Sequence, residues 1–208
     1  VKNDSLRAVT EQLFFTICEH NDIDPESISL HLFESPTINA FVIPGNHIIL
    51  FTGLIEYTKS AEELAGVIAH ELAHIQENHL EDRLVKLIGI NVLIFASGLD
   101  AGAYLIAELI RTLAATAFTR DQEREADLAA VEYLHKAGMA PDHLAVFMLR
   151  LSKEESTSGV SLPVWLKTHP DSRSRAMYIM EASQEKEKEN EYAPAYSGDW
   201  KELIQARL

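Results

Sequence analysis

The fold of this chain is organised around the stretch His70-Glu71-Leu72-Ala73-His74, in which a glutamate follows the first of two histidines. On an α-helix, residues four apart lie one above the other on the same face, so both imidazoles can reach one metal ion. Glu71 projects about 100° further round the helix, which suits a group that contacts water beside the metal. Two neutral nitrogen ligands and an acidic general base are what zinc-dependent hydrolysis of an amide requires.

The residues around this motif predict a helix that is buried on nearly all sides. From Leu64 to Ile75 the chain is apolar or small apart from the motif itself, and Ser60 with Glu63 has the spacing of a capping box at the helix start. Buried histidines and a buried glutamate are costly unless they have partners. The alternative is a core helix whose histidines hydrogen-bond to backbone, and we favour the metal site over it.

Composition and charge limit the class of protein. The 208 residues are 47% hydrophobic and 24% charged, which predicts one folded domain at 1–189 with a docked C-terminal tail at 190–208. The net charge of -14 argues against a nucleic-acid partner.

Cys18 is the one cysteine, so no intramolecular disulfide can form, and we expect it to be buried. Because Val1 is neither an initiator methionine nor part of a signal peptide, we expect a mature or trimmed chain.

Periodicity predicts a mainly helical chain with a small β-sheet. The turn residues Pro44-Gly45-Asn46 indicate that the second and third strands form an antiparallel hairpin. A short helix is expected after Thr52. The other expected elements are strands at 27–33, 38–43 and 47–51, helices at 5–20, 119–136, 141–152 and 172–188, and a polar loop at 154–159.

Two apolar runs, at 87–99 and 101–118, allow two interpretations. A membrane span needs about 20 predominantly apolar residues, and neither run is both long and clean enough. We therefore favour a buried helical hairpin. The alternative is a hairpin that contacts a membrane or gates the site.

A catalytic zinc needs a third protein ligand, because its fourth position is kept for water. One known pattern places glycine at 77 and histidine at 80, where this chain has Glu77 and Leu80. A carboxylate is the usual alternative. Glu123 and Asp127 share a helix face, so Glu123 can bind the metal while Asp127 accepts a hydrogen bond from the outer nitrogen of a ligand histidine. Spacing alone does not choose between Glu123 and Glu125.

Four segments, in this order, resemble the M48 family of zinc metallopeptidases over roughly residues 5 to 180. They are Asn39 to Gly45, His70 to His74 with His79 trailing, Glu123 to Asp127, and Thr168-His169-Pro170 with Arg175. The resemblance implies one zinc ion per chain with Glu123 as the third ligand. It also implies an α+β, mainly helical fold: a zincin-like metalloprotease core with a small β-sheet and the His-Glu-x-x-His helix.

Two residues of the last segment have predicted roles. Pro170 stiffens the loop of His169, which can then hydrogen-bond the tetrahedral oxyanion or occupy the open coordination position in a resting state. Arg175 is expected to position that loop or the substrate. On a helical wheel His79 falls on the far side from His70, which favours a structural role.

The expected reaction is hydrolysis of peptide bonds, with Glu71 taking the water proton and passing it to the leaving amine. We expect an extended peptide to add to a sheet edge at 48–51, which favours unfolded or flexible segments as substrates. The resemblance implies protein quality control in the bacterial cell envelope, either periplasmic or membrane-associated. We expect a monomer.

Two rival functions remain open. The chain can be a zinc-bound chaperone or assembly factor with latent proteolysis, whose binding element is the apolar hairpin at 87–118. It can also be a structural helical domain that binds no metal.

Overall fold

The computed structural model describes residues 4–81, 117–157, 164–188 and 191–206. Within these ranges the chain is mainly helical with one three-stranded sheet, so the predicted mainly helical α+β class is confirmed. The elements in chain order are α1 (Asp4–Glu19), β1 (Ser29–Phe33), β2 (Ala40–Ile43), β3 (His47–Phe51), α2 (Thr52–Tyr57), α3 (Ala61–Gln76), α4 (Arg120–Lys136), α5 (Asp142–Thr157), α6 (Val164–Thr168), α7 (Ser172–Glu187) and α8 (Trp200–Gln205).

The sheet has the strand order β1-β3-β2. Strands β2 and β3 are antiparallel, with Ile43 opposite His47, which confirms the predicted hairpin. Gly45 and Asn46 in the turn have φ angles of 91° and 60°. Glycine and asparagine tolerate this left-handed region, which a tight turn between paired strands requires. Strand β1 pairs in parallel with β3, a long-range relationship that no local pattern indicates.

This strand order overturns one prediction. An extended peptide was expected to add to the sheet at 48–51, but β3 lies in the middle and pairs with β1 on one side and β2 on the other. A strand whose two sides are both paired has no free backbone groups with which to bind another strand. The prediction for β3 is therefore wrong, and among the described strands the edges of the sheet are β1 and β2.

Helix α3 is the central element of the core. It contacts α1, α4, α5 and β2, and nearly its whole length is buried, as its apolar and small faces predict. Gly66 allows a close approach to α5, since a Cβ atom at that position would lie 3.0 Å from the Cβ atom of Leu144. The helix begins after Ser60, whose hydroxyl accepts a 3.3 Å hydrogen bond from the backbone N–H of Glu63.

Short helices, one helix end and two strand starts account for the other differences from the predicted elements. Helix α5 continues to Thr157, where the sequence predicts a polar loop from residue 154. Strands β1 and β2 each begin two residues later than predicted. The sequence does not predict helices α6 and α8, because one to two turns are too short to show an apolar periodicity. Buried side chains, Trp165 in α6 and Trp200 in α8, anchor these two short helices.

The tail contacts the start of α3 and the loop before it. The indole N–H of Trp200 donates to the hydroxyl of Thr58 at 3.2 Å. The backbone N–H of Ala195 donates to a carboxylate oxygen of Glu62 at 2.8 Å. These hydrogen bonds place the described part of the tail beside the first turn of α3.

The apolar hairpin predicted at 87–118 lies outside the described residues, apart from its last two. Of these, Phe118 is buried, and its backbone N–H donates to the carbonyl of Thr168 at 3.2 Å. Among the helices that are described, none has both the length and the apolar character that crossing a bilayer demands.

Candidate metal centre

Helix α3 carries three of the predicted site residues into the interior of the protein. His70, Glu71 and His74 are all 0% exposed. The start of the helix is held by an ion pair between Glu63 and Arg150, whose guanidinium nitrogens lie 2.6 and 2.5 Å from the two carboxylate oxygens. A bidentate pair of this kind orients both partners, so the helix that carries the histidines is firmly placed.

Helix α4 supplies the carboxylates that face α3. Its first turn is closed by a capping box in which the Thr119 hydroxyl accepts from the backbone N–H of Gln122 and the Gln122 side chain accepts from the backbone N–H of Thr119. One turn of the helix separates Glu123 from Asp127, so both carboxylates point at α3. Glu123 is 1% exposed and Asp127 is 0% exposed.

The atoms that would bind a metal converge. The Nε2 atoms of His70 and His74 lie 3.1 Å apart. The carboxylate of Glu123 has one oxygen 3.5 Å from the His74 Nε2 atom and the other 3.8 Å from the His70 Nε2 atom. Ligand atoms at the zinc–nitrogen distance of about 2.0–2.1 Å in a tetrahedron lie roughly 3.3 Å apart. The residues therefore fit a tetrahedrally coordinated metal ion.

His169 completes the cluster. Its Nδ1 atom lies 3.3 Å from the His70 Nε2 atom and 2.9 Å from a Glu123 oxygen. One ligand atom from each of His70, His74, Glu123 and His169 lies within 4.8 Å of the other three. The ring of His169 is stacked on that of Trp165, with a centroid distance of 4.6 Å, and the residue is 0% exposed. The structure therefore places His169 inside this cluster of potential metal ligands.

Glu71 lies beside the cluster and outside the ligand set. Both of its carboxylate oxygens are buried, and neither accepts a hydrogen bond from the described residues. The His169 Nε2 atom lies 3.4 Å from one of these oxygens. A buried carboxylate without a hydrogen-bond partner costs free energy, and such groups are concentrated at functional sites. This position suits a base that acts on water rather than a ligand.

Burial sets the protonation state of His74. Burial is the largest effect and lowers the pKa of this imidazole well below its ordinary value, and the neighbouring His70 acts in the same direction. The ring of Phe118 stacks on it, with centroids 3.7 Å apart and an angle of 12° between the planes. A neutral imidazole is the form that binds a metal ion.

The carboxylate of Asp127 lies beside the outer nitrogen of His70. Its Oδ1 atom lies 2.9 Å from the His70 Nδ1 atom. It also accepts two 2.8 Å hydrogen bonds from the Arg175 guanidinium and one of 2.5 Å from the Tyr178 hydroxyl. Burial alone would raise the pKa of this carboxyl, but Arg175 and His70 outweigh burial and hold it below its ordinary range.

Arg175 contacts the two carboxylates that α4 directs at the site. It is 3% exposed, and besides Asp127 its guanidinium forms an ion pair with Glu123. It also lies over the ring of Trp165, 5.5 Å from the centroid, and its predicted role in positioning the loop or the substrate stays a prediction. His169 and Arg175 outweigh the effect of burial on Glu123 and hold the pKa of that carboxyl well below its ordinary value. Glu123 is therefore ionised, as a metal ligand must be.

His79 lies at the site, although the helical wheel assigned it to the far side. That assignment assumed that the helix continues past residue 79. Helix α3 ends at Gln76, and Asn78 turns the chain with a left-handed φ of 56°. His79 then returns toward the helix, and its Nδ1 atom lies 3.0 Å from the His74 Nδ1 atom.

Sequence reasoning missed two further residues, Tyr178 and Phe118. Tyr178 follows Arg175 by three positions and therefore shares its helix face, which is the one signal that could have revealed it. Arg124 lies over its ring, 4.5 Å from the centroid. Phe118 carries no signal in the local pattern, because a phenylalanine in an apolar run is ordinarily a core residue.

The comparisons with known proteins agree with this geometry. The chain is 30% identical over 173 residues to the mitochondrial metalloendopeptidase OMA1 of Schizosaccharomyces pombe, covering 82% of this chain and 51% of that protein. It is 32% identical over 168 residues to the beta-barrel assembly-enhancing protease of Yersinia pestis, covering 70% of this chain and 34% of the relative. The Escherichia coli K12 protein of the same name is 30% identical, with 69% and 32% covered.

The chain thus spans about half or less of the length of these curated relatives. The sequence profile described as peptidase family M48 matches residues 2–183, which is nearly the whole chain. That range includes the paired histidines of α3, the carboxylates of α4 and the segment of His169 and Arg175. The chain therefore belongs to peptidase family M48.

Proposed function

We propose that this chain is the catalytic domain of a zinc-dependent metalloendopeptidase. The observation that carries the proposal is the convergence of the His70, His74 and Glu123 ligand atoms beside the buried carboxylate of Glu71. Two imidazole nitrogens, one carboxylate oxygen and an adjacent free carboxylate are the parts of a catalytic zinc site. The relatives whose printed names call them metalloendopeptidases or proteases support the same reaction class.

The donor set favours zinc among the common metal ions. Calcium and magnesium prefer six or more oxygen ligands, whereas this cluster offers nitrogen atoms and a single carboxylate. We propose one zinc ion per chain, held by His70, His74 and Glu123. The Nδ1 atom of His169 lies among these ligand atoms, which supports its occupying the fourth position in a resting state.

When bound, zinc supplies Lewis-acid chemistry that polarises the scissile carbonyl and lowers the pKa of the attacking water. Glu71 removes the proton of that water and delivers it to the leaving amine, for which its unpartnered carboxylate is placed. For a substrate to enter, the His169 side chain must leave the ligand cluster. We propose that the displaced imidazole then donates a hydrogen bond to the oxyanion.

The substrates that we propose are polypeptides with unfolded or flexible segments. A strand-like peptide can pair only with a free sheet edge. Of the two edge strands, β2 contacts α3, the helix that carries His70 and Glu71, so β2 lies nearer to the site. We propose that an extended substrate pairs along β2, which brings its scissile bond towards Glu71.

The cellular setting is part of the proposal. Several bacterial relatives carry the name beta-barrel assembly-enhancing protease, which favours protein quality control in a bacterial cell envelope. We propose a periplasmic or membrane-associated location and a monomeric state. Fractionation of cells and light scattering of the purified protein test these two statements separately.

The decisive experiment measures metal content and casein digestion together, on the parent and on Glu71→Gln. The parent should contain one zinc per chain and digest casein, whereas Glu71→Gln should keep the zinc and lose the digestion. Glu77→Gln is the matched control, since this exposed glutamate at the end of α3 lies outside the site. A parent without bound metal, or a Glu71→Gln variant as active as the parent, would overturn the proposal.

The same variant tests the rival chaperone or assembly function. If Glu71→Gln restores the cellular role of the deleted gene, the role does not depend on proteolysis. If it fails to do so while it still folds and binds zinc, the cellular role depends on peptide-bond hydrolysis.

A further inference from the structure

We propose that His79 and Glu125 hold His74 in the orientation and tautomer that bind the metal. The inference rests on the proposed metallopeptidase function and concerns the outer nitrogen of His74. The Nε2 atom of His74 faces the ligand cluster, so its Nδ1 atom points away from it. The described partner of that Nδ1 atom is the Nδ1 atom of His79, at 3.0 Å.

The positions of the protons follow from the requirement of metal binding. A metal-binding Nε2 atom must offer its lone pair, so the proton of His74 sits on Nδ1 and is donated to His79. The Nδ1 atom of His79 must then accept, which leaves the proton of His79 on its Nε2 atom. That Nε2 atom lies 3.1 Å from a carboxylate oxygen of Glu125, which accepts it. Every donor in this chain of three groups then has an acceptor.

The opposite arrangement is unfavourable. If His79 carried its proton on Nδ1, two N–H groups would face each other within a buried contact, since His74 and His79 are 0% and 3% exposed. The Nε2 atom of His79 would also present a lone pair to the carboxylate of Glu125. Buried donors left without acceptors destabilise the arrangement that contains them. Glu125 therefore selects the tautomer of His79, and His79 selects that of His74.

The two histidines of the proposed metal site are thus oriented by different contacts. His70 contacts the buried carboxylate of Asp127 directly, and Arg175 and Tyr178 fix that carboxylate. His74 contacts the imidazole of His79, and that imidazole contacts Glu125, whose side chain is 65% exposed. A carboxylate at the surface of α4 therefore acts on a ligand in the interior.

Backbone geometry places His79 independently of any ligand. The left-handed Asn78 turns the chain after α3, and the Gln122 amide approaches the carbonyl of His79 at 3.5 Å. The Phe118 ring stacks on His74 and lies 6.3 Å from the His79 ring, so it borders both. These contacts hold His79 in place, which is what a positioning residue requires.

The test compares the zinc dissociation constants of the parent, His79→Leu and His79→Asn, measured by competition with a chromogenic chelator. Leucine removes the acceptor and keeps an apolar side chain of moderate size, so zinc binding should weaken by about 10- to 100-fold. Asparagine places an amide oxygen near the Nδ1 position and should restore most of the affinity. If His79→Leu binds zinc like the parent, or if both variants are equally impaired, the inference is overturned.

The role of Glu125 is tested in the same assay. Glu125→Ala should weaken zinc binding, though by less than His79→Leu, because water can replace an exposed carboxylate. Asp121→Ala removes an exposed carboxylate one turn earlier on the same helix face and should leave the affinity unchanged. Equal effects of the two alanine variants would show that only the overall charge matters, which contradicts the hydrogen-bonded chain.

A measurement on the parent protein tests the inference even if a variant fails to fold. Long-range proton–nitrogen NMR spectra of the zinc-loaded protein, labelled with ¹⁵N-histidine, report which ring nitrogen carries a proton. His79 should be protonated on Nε2 alone, and the reverse tautomer or a doubly protonated ring would overturn the inference. A parent that binds no zinc would overturn the proposed function as well, whereas a zinc-binding parent with an unaffected His79→Leu variant would overturn this inference alone.

Discussion

Asp127 on α4 and His70 on α3 meet in the buried centre of the protein, where the Asp127 Oδ1 atom lies 2.9 Å from the His70 Nδ1 atom. Both side chains are 0% exposed. The contact joins the helix that carries His70 and His74 to the helix that carries Glu123. It therefore links the orientation of the His70 ring to the packing of the two helices.

Asp127→Asn should weaken zinc binding by about 10- to 100-fold, the usual effect of altering the group behind a ligand histidine. The amide can offer one oxygen to His70, but its NH₂ group then faces the donors of Arg175 and Tyr178. Chelator competition measures the change. Glu132→Gln makes the same chemical substitution at a surface ion pair of α4 and should bind zinc like the parent.

Tyr178→Phe should lower the free energy of unfolding by about 1.5–3 kcal/mol, the range for a hydrogen bond to a charged group. The substitution removes the hydroxyl that donates to Asp127 at 2.5 Å and keeps the ring under Arg124. Urea denaturation measures the difference. Tyr133→Phe is the control and should change stability by less than about 0.5 kcal/mol. Similar losses in both variants would contradict the importance of the Asp127 contact.

Removal of the metal should lower the thermal stability. A ligand present at about 1,000 times its Kd stabilises the folded state by about 4 kcal/mol, which for a chain of this size corresponds to about 10 °C in Tm. Calorimetry with and without a chelator measures the shift. In His74→Ala the Tm should no longer respond to added zinc, and a response equal to that of the parent would place the metal elsewhere.

His169→Ala distinguishes the two roles left open for this histidine. Because its Nδ1 atom lies among the ligand atoms, we expect zinc affinity to fall by about tenfold, as for the loss of a resting ligand. Zinc competition and the hydrolysis of a short unstructured peptide should be measured on the same preparation. Unchanged zinc affinity with a lower kcat would assign His169 to stabilisation of the oxyanion instead.

The roles of Glu123 and Glu125 show where local patterns stop being informative. Both are glutamates on one helix, and spacing alone does not choose a ligand between them. The structure turns Glu123 into the core at 1% exposure and leaves the side chain of Glu125 65% exposed beside His79. That choice depends on how α4 rotates against α3, and the packing of the two helices sets the rotation.

The amino-acid sequence by itself determined the elements that depend on neighbouring residues. The burial of α3, the shared face of His70 and His74 and the β2–β3 hairpin all follow from periodicity and turn chemistry, which act within a few residues. The partners of Arg175, the place of His79 and the central position of β3 were decided only by tertiary structure. Each depends on contacts between segments far apart in the chain or on where a helix ends, and such relationships arise only when the core is packed.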